Sequence, residues 1–560
     1  MARVKPRISA GPIHSFRAVE GVWDPFPDED FIMKRTENST ANTTTTGGGG
    51  AAGMRIIVPL QGVVHGRAGL ILGTVIPCAL FYFLQLYLKN RGAGGRPSAS
   101  SPPPEDEDPS SSSSSSSTLQ RVHSRLLLLS PRSSGGPVRI SSRASAVIRQ
   151  SDGAYYTGLK RVEEDPFHEI DNPNGVIQLA VPENRSMVNL VQEWISDHLI
   201  GKGLNINGIT TYQPFDGLME LKAAAAGFVL QVTEKSFRID PTQIVVTAGV
   251  TSGIEALVFS LSDPGNAFLV PSPYSPELDG AVKWRTGVEI IQIPCRSSDG
   301  FGLSIAAVDR AYNQAKKQGV KVSGIILSNP SNPFGVVYTR EALYNLLDFA
   351  TEKNIHIISV ETLVGSARGA QEFVSMAEVA GTEEAAAAFD GNNRVHLVYD
   401  LANDLSIIYT TNEGVSSAAK RLSRFSSVSV PAQQLLISMF SDTKFVERSV
   451  SLTRGRVSRM HSEFVSWVEE RLGIRCFEGS SGGLYCWADM SRFIPTYNEE
   501  GEMELWNKMV SVAKINALPG SACHCVEPGW FGFCLAALGE EQQVAVVVQR
   551  IRRLVLETCK

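Results

Sequence analysis

The sequence contains no block of lysine or arginine, and its 52 basic and 57 acidic side chains leave a net charge of −5. Proteins that bind nucleic acid carry basic patches, so we expect no nucleic-acid partner. Hydrophobic residues make up 43% of the 560 positions, which is enough to bury one large core or two ordinary ones. These features favour an enzyme-sized globular region with additional segments.

The eight cysteines form no C-x-x-C pair and show no regular spacing. This pattern indicates reduced thiols rather than a disulfide framework. The tripeptide Cys523-His524-Cys525 resembles part of a metal site, but zinc takes three or four ligands and the sequence offers no second cluster. We therefore expect no bound metal.

The first 53 residues have little apolar periodicity and include an Asn/Thr tract that runs into polyglycine. Such a composition predicts a disordered leader. A second methionine, Met54, directly precedes a patterned segment. Residues 1–53 are therefore either a leader or an upstream extension that is not translated natively.

Residues 54–91 contain an uncharged, mostly apolar stretch at 68–88, roughly the ~20 residues needed to cross a bilayer. We expect this stretch to anchor the chain in a membrane, with the folded region in the cytosol. The flanking charges are too balanced to fix the orientation or to name the membrane. A buried hairpin or a cleaved signal remains the alternative. Residues 92–151 are rich in Gly, Pro and Ser and predict a flexible linker.

From residue 152 to the end, the residue pattern is typical of a globular unit. It contains seven apolar runs, several of them separated by helix-length segments. The alternation predicts an α/β fold with a mostly parallel, seven-stranded sheet. We place a large domain at about 210–440 and a small α/β domain at about 152–205 plus 441–560. The predicted strands are 244–246, 267–270, 288–293, 324–327, 355–359, 395–399 and 406–409.

The stretch from Ile244 to Glu255 predicts a strand, a glycine-containing turn and the start of a helix. Backbone N–H groups at a helix start attract an anion, so Gly249, Val250 and Thr251 are candidate phosphate ligands. Many turns of this kind bind nothing, however. A more specific signal is Asn329-Pro-Ser-Asn-Pro-Phe-Gly335, a rigid turn after a strand, where open α/β sheets bind ligands.

These two motifs carry a family resemblance. The sequence resembles fold-type-I pyridoxal 5'-phosphate (PLP) enzymes of aminotransferase class I, most closely the plant 1-aminocyclopropane-1-carboxylate synthases of ethylene biosynthesis. The anchored, serine-rich leader is similar to a divergent branch of that family, whose members resemble amino-acid aminotransferases. Further matching segments are Asn172–Gln178, Phe268–Pro276, Lys283–Gly287, Phe425–Val428, Gly482–Trp487 and Glu527–Phe531.

The resemblance implies a PLP site and a dimer. Asn332 matches the asparagine that bonds the cofactor's phenolic oxygen. Gly249, Val250 and Thr251 match the phosphate cup, and Glu183 matches a glutamate of the substrate pocket.

Other positions depart from the family pattern. Asn403 stands where the family has its Schiff-base lysine, and an amide forms no aldimine. Asp400 replaces a phosphate-binding serine, and a carboxylate repels phosphate. After Ser406, about seven residues that carry the phosphate-binding arginine are missing, as though deleted.

The remaining departures also remove polar or aromatic contacts to the cofactor or substrate. Val360 replaces the aspartate that keeps the pyridine nitrogen protonated, and Leu363 replaces an aromatic hydroxyl. Gly532 replaces the arginine for the substrate carboxylate, Phe215 replaces a tyrosine that crosses the dimer, and Ser275 replaces a ring-stacking aromatic residue.

Three interpretations follow from the sequence. A pseudoenzyme would keep the fold and act as a homodimer, or as a heterodimer with a related aminotransferase. Alternatively, the chain is an active PLP-dependent aminotransferase or 1-aminocyclopropane-1-carboxylate synthase in amino-acid metabolism. A third interpretation is that the gap after Ser406 reflects a mis-spliced transcript or a decaying gene. The nearest downstream lysine, Lys420, is more typical of a surface charge than of a replacement nucleophile.

Overall fold

The computed structural model describes residues 139–150, 153–202, 211–234, 237–366, 372–382, 391–402 and 405–558. The predicted leader (1–53) and anchor segment (54–91) lie outside these ranges, as does Asn403. Within the described ranges, no helix is both long and apolar enough to cross a membrane. One difference from the sequence prediction lies in the linker, where Ser142–Gln150 forms a helix that begins beside the Ser141 hydroxyl, which accepts from the Ala144 amide at 3.1 Å.

The described residues form helices and strands that alternate through most of the chain. The strands are β1 Ile177–Gln178, β2 Ile244–Thr247, β3 Ala267–Ser272, β4 Glu289–Pro294, β5 Val322–Ser328, β6 His356–Val360, β7 Val395–Ala402, β8 Leu405–Thr410, β9 Arg475–Cys476, β10 Tyr485–Asp489, β11 Ile515–Asn516, β12 Leu518–Pro519 and β13 Trp530–Cys534. The helices are α1 Ser142–Gln150, α2 Ala154–Glu164, α3 Val188–Lys202, α4 Met219–Val232, α5 Gly249–Leu261, α6 Glu277–Lys283, α7 Ile305–Lys317, α8 Arg340–Glu352, α9 Met376–Ala380, α10 Glu413–Leu422, α11 Val430–Ser441, α12 Thr443–Leu472, α13 Glu499–Ser511 and α14 Gln543–Thr558.

Seven strands form one sheet in the order β2-β8-β7-β6-β5-β3-β4. Neighbouring strands from β7 to β4 are parallel, whereas β8 runs antiparallel to both β2 and β7. Strands β2, β3, β5 and β6 are almost completely buried, because helices cover both faces of the sheet. The predicted mostly parallel, seven-stranded α/β sheet is confirmed, and the ends of each predicted strand lie within three residues of those observed.

Strands β7 and β8 pair up to their connected ends. Asp400 pairs with Ser406 and Ala402 pairs with Leu405, with a shift of register between Asp400 and Ala402. Only two residues of sequence, 403 and 404, separate this last pair. The paired ends of β7 and β8 are therefore linked by two residues of sequence.

The C-terminal part of the chain builds a second sheet of four antiparallel strands in the order β12-β13-β10-β9. Helix α12 covers the core beside it with residues at helical spacing, Met460, Phe464, Val468 and Leu472. The Asp442 carboxylate caps this helix at the Phe445 amide (3.1 Å). The exact division into a large and a small domain stays a prediction.

Candidate active site

A cavity of about 430 Å³ opens at the carboxyl ends of the parallel strands β3, β5, β6 and β7. We call it the front cavity. Ligands bind at this edge of open α/β sheets. Nine residues singled out in the sequence line it, although they lie up to 217 positions apart: Glu183, Gly249, Val250, Thr251, Ser275, Asn332, Val360, Leu363 and Asp400.

The predicted phosphate cup is the first turn of α5. The helix begins at Gly249, whose φ of +75° suits glycine because a side chain is strained there. The Ala248 amide donates to the Ser426 carbonyl at 2.9 Å, which fixes the chain where it enters the helix. Gly249, Val250 and Thr251 thus present the positive end of a helix dipole to the front cavity.

The Asn-Pro turn that carries Asn332 is fixed from both sides. Asn329 is fully buried, donates to the Val374 carbonyl at 2.8 Å and accepts from the Tyr338 amide at 3.3 Å. Gly335 lies so close to the Gly482 carbonyl that a Cβ would fall 1.9 Å from its oxygen. Because the turn is held so firmly, Asn332 has a defined place at the cavity wall.

The end of β6 presents an apolar residue to the front cavity and a charged one away from it. Val360 lines the cavity. The next residue, Glu361, is 1% exposed and accepts hydrogen bonds from Ser359, Ser375, Tyr399 and the Met376 amide. Burial raises the pKa of Glu361, although these four donors act in the opposite direction. The carboxylate at this strand end therefore belongs to the protein interior rather than to the site.

Two predicted site residues do not line the front cavity. Gly532 lies in β13 beneath Trp487, and a Cβ at Gly532 would fall 2.8 Å from the indole. Phe215 lies under the Arg424 guanidinium, whose carbon is 4.6 Å from the ring centroid. Lys420 also lies away from the cavity, where its ammonium donates to the Thr242 carbonyl at 3.2 Å.

The structure adds two residues to the site that the sequence reasoning did not select, Glu277 and Tyr274. The Tyr155 hydroxyl donates to the Glu277 carboxylate at 2.7 Å, and both burial and that carboxylate raise the pKa of Tyr155. The Phe268–Pro276 segment contains Tyr274 and ends one residue before Glu277. The signal for both was therefore present in the sequence, but no motif gave them a role.

A second layer holds Tyr274 in place. Its ring stacks on His524 with centroids 4.6 Å apart, and His524 Nε2 lies 2.6 Å from an Asp279 oxygen. Burial opposes the ionisation of Asp279, but hydrogen bonds from His524 and Lys283 outweigh it and lower its pKa. His524 therefore contacts the Asp279 carboxylate and the Tyr274 ring. The described residues contain no group of three or more His, Cys, Asp or Glu that could hold a metal.

Some of these residues suit PLP and others do not. The first turn of α5 and Asn332 offer donors for a phosphate and a phenolic oxygen. The described lining of the front cavity includes no lysine, arginine or histidine, and it includes the Asp400 carboxyl group. The described lining residues therefore offer neither an amine that could hold PLP covalently nor a basic side chain that could hold its phosphate.

Comparison with known proteins extends over most of the chain. Residues 174–551 match the family model for aminotransferase class I and II. The rice protein named 1-aminocyclopropane-1-carboxylate synthase 6 is 48% identical over 90% of this chain and 93% of its own length. The Arabidopsis thaliana protein named probable aminotransferase ACS12 is also 48% identical, over 90% of this chain and 99% of its own length.

The fold is similar to that of solved aminotransferases. Aspartate aminotransferase from Thermus thermophilus, determined with maleate, covers 75% of this chain and 100% of its own length with a TM-score of 0.59 and 18% identity. Family membership implies PLP as the ancestral cofactor, and members of the family are typically homodimers. On the extent of the model match and the identity to these relatives, the chain belongs to the class I and II aminotransferase family and is related to the 1-aminocyclopropane-1-carboxylate synthases.

Proposed function

We propose that this chain is a non-catalytic member of its family, a pseudoenzyme that retains the fold and acts by pairing with another subunit. The single observation that supports this most strongly is the short β7–β8 link and its composition. Asn403, an amide in place of the family's lysine, falls in the two-residue link between the paired Ala402 and Leu405. An amide offers neither an amine for a Schiff base nor a base for proton transfer.

The interior of the sheet argues against a missing segment. Ile407 and Ile408 are fully buried in β8, and the Ser406 hydroxyl lies 2.8 Å from the Thr247 hydroxyl of β2. Every described residue of β8 has a partner strand on both sides or packs in the core. A short connection is therefore compatible with a well-packed sheet, which favours a genuine sequence over a splicing error.

An exposed aromatic patch beside the front cavity favours a paired assembly. Tyr212 is 94% exposed and Phe425 is 74% exposed. The Phe215 ring lies 6.2 Å from the Tyr212 ring, centroid to centroid, and under the guanidinium of Arg424, the residue before Phe425. Aromatic and arginine side chains are typical of protein interfaces. We propose that this patch contacts a second copy of the chain or a related aminotransferase.

The catalytic part of the proposal is tested by adding PLP to the purified full-length protein. We expect no aldimine absorbance and, after borohydride treatment, no lysine carrying a pyridoxyl group in peptide mass spectra. The aspartate aminotransferase from Thermus thermophilus is the positive control. A labelled lysine at the front cavity would overturn the proposal.

The pairing part is tested by light scattering on the full-length chain. We expect a dimer whose dissociation increases when Phe425→Glu places a charge in the aromatic patch. Tyr497→Glu is the matched control, because Tyr497 is also 67% exposed but belongs to the C-terminal part of the chain. Equal dissociation of the two variants would contradict the assignment of the patch.

An active enzyme remains the second candidate, and the identity of 48% to the rice protein favours it. Under this alternative the chain transfers amino groups or forms 1-aminocyclopropane-1-carboxylate. The borohydride experiment separates the two candidates, since either reaction requires PLP to be bound to an amine during turnover.

We further propose that residues 68–88 tether the folded region to a membrane and leave it in the cytosol. The uncharged, apolar composition of that stretch supports this. Membrane flotation of the full-length chain, compared with a chain that lacks residues 68–88, tests the tether. Flotation of both would contradict it.

A further inference from the structure

The second half of the predicted linker has a charge bias that the whole chain does not share. Residues 109–151 contain six arginines and no lysine, aspartate or glutamate, although the net charge of the whole chain is −5. A stretch of this sign attracts an anionic partner. The arginines are spaced rather than contiguous: Arg121, Arg125, Arg132, Arg139, Arg143 and Arg149.

Helix α1, Ser142–Gln150, combines the last of these arginines with an apolar stripe. The helical period of 3.6 residues turns Arg143 and Arg149 away from that stripe, so α1 is amphipathic. Its first turn contains no acidic residue. The stripe consists of residues at helical spacing, Ile140 just before the helix and then Ala144, Val147 and Ile148.

Both the apolar and the basic side chains of this helix are accessible to a partner. Ile140 is 58% exposed and Ile148 is 60% exposed. Arg139, Arg143 and Arg149 are exposed as well, and none of them takes part in an ion pair among the described residues. A surface that covers the isoleucines and carries negative charge therefore stabilises α1.

A membrane surface of acidic phospholipids offers both features. Its anionic head groups attract arginine, and the boundary between head groups and acyl chains accepts apolar side chains. Helices that lie in this boundary have a basic polar face and an apolar face, as α1 does. Nucleic acid would bind the arginines alone, because residues 109–151 contain no Phe, Trp or Tyr to stack on bases. The apolar stripe therefore favours a membrane over nucleic acid.

We propose that α1 binds the surface of a membrane that contains acidic phospholipids. Ile140 and Ile148 enter the head-group boundary, and the arginines contact lipid phosphates. This goes beyond the proposed function, because the contact is separate from residues 68–88 and requires neither catalysis nor pairing. Each arginine near an anionic surface improves the partition coefficient roughly fivefold. The contact is therefore weak and reversible, and salt weakens it by screening the charges.

The first test measures amide hydrogen exchange of residues 139–150 in the full-length protein mixed with vesicles. The vesicles contain phosphatidylcholine alone or phosphatidylcholine with phosphatidylserine. A helix of nine residues is marginally stable in water, so contact with a surface should slow its exchange. With phosphatidylserine we expect exchange at least about tenfold slower at about 0.1 M KCl, and no difference at about 1 M KCl. The acidic helix α13 is the internal control, since its exchange should be the same in both vesicles.

A charge variant tests the arginines. It combines Arg139→Gln, Arg143→Gln and Arg149→Gln. Because three arginines account for roughly 100-fold in the partition coefficient, this variant should lose the slower exchange with phosphatidylserine. Its matched control changes the net charge equally at three exposed arginines elsewhere, Arg310→Gln, Arg552→Gln and Arg553→Gln, and should keep the slower exchange.

A second variant tests the apolar stripe. Ile148→Ser keeps every arginine but removes an aliphatic side chain from the head-group boundary, so it should reduce the slowing at least about tenfold. Leu556→Ser is the matched control, because Leu556 is similarly exposed (56%) and lies in α14. It should leave the exchange of residues 139–150 unchanged.

The proposal is overturned if residues 139–150 exchange equally fast with and without phosphatidylserine, or if the charge variant behaves like its control. It is also overturned if a DNA oligonucleotide slows their exchange while phosphatidylserine does not. Flotation with phosphatidylcholine vesicles at about 1 M KCl tests the uncharged residues 68–88 alone. A chain that does not float there would overturn the tether and not the contact made by α1, so the two failures are distinguishable.

Discussion

The hydroxyl of Tyr399 donates a hydrogen bond to the buried carboxylate of Glu361, joining β7 to the end of β6. The two side chains are 2% and 1% exposed. A carboxylate in such a place depends on its donors, because water cannot replace them. The pair therefore stabilises the sheet at the strand ends that form the site.

Tyr399→Phe removes this donor and should lower the free energy of unfolding by about 1–3 kcal/mol at pH 7. Burial raises the pKa of Glu361 in the folded state. Burying the protonated carboxyl group of Glu361 carries no charge penalty, so its contribution to the free energy of unfolding is greatest below the unfolded pKa of about 4.3. That contribution falls as pH rises through the folded pKa. The loss in Tyr399→Phe should therefore grow with pH. Urea unfolding from pH 4 to 8 measures it, and Tyr497→Phe should show no such trend.

The contact between the buried His396 and the half-buried His356 predicts a pH dependence of the opposite sign. His396 Nε2 lies 3.1 Å from His356 Nδ1, and His396 Nδ1 lies 2.8 Å from the Thr410 hydroxyl. Burial, followed by the neighbouring His356, lowers the pKa of His396 to about 3. Burial and the positive charge of Arg394 lower the pKa of His356. The stability these residues contribute is fully present above pH 6.5 and is lost as pH falls toward 3.

The urea concentration at the midpoint of unfolding of the wild-type protein should therefore decrease when the pH is lowered from 7 to 5. His396→Gln should make that decrease smaller. The exposed His168→Gln serves as the control. A midpoint that is equally pH-dependent in both variants would show that other groups dominate acid unfolding.

Gly532 should tolerate no side chain. Because a Cβ there would fall 2.8 Å from the Trp487 indole, Gly532→Ala must displace a ring that stacks on Phe334 with centroids 4.0 Å apart. We expect a loss of about 1–3 kcal/mol in the free energy of unfolding. Gly227→Ala is the control, since nothing lies within 4 Å of that site in α4 and alanine favours a helix. Equal changes in the free energy of unfolding for the two variants would contradict the crowding at Gly532.

Asp400 should reduce the contribution of the phosphate group to the affinity for PLP. We expect PLP and pyridoxal, which lacks the phosphate, to bind the wild-type protein about equally weakly. Asp400→Ser should improve the affinity for PLP about tenfold, or about 1.4 kcal/mol, and leave pyridoxal unchanged. Fluorescence titration measures both ligands. A phosphate preference already present in the wild-type protein would argue against repulsion by Asp400.

Much of the fold was predictable because its signals are local. The buried strands are short apolar runs, and the run predicted at 244–246 forms the strand Ile244–Thr247. The cup at Gly249 and the turn at Asn332 were recognisable for the same reason, since each is one contiguous motif.

The rest of the site was not predictable, because it depends on contacts between distant segments. Glu277 is held by a hydrogen bond from Tyr155, 122 positions earlier, and Gly532 lies opposite Trp487 on the neighbouring strand. The resemblance placed Gly532 and Phe215 at the site by analogy, and neither is among the residues that line the front cavity of the single chain.

The pairing of Ala402 with Leu405 separates two roles that one chain segment can combine. Hydrogen bonding between β7 and β8 completes the sheet whatever the length of the link between them, whereas any chemistry carried on that link depends on its length and composition. The strand pairing that completes the sheet and any chemistry carried on the link thus depend on different residues. A substitution in the two linking residues therefore leaves the hydrogen bonds between β7 and β8 in place.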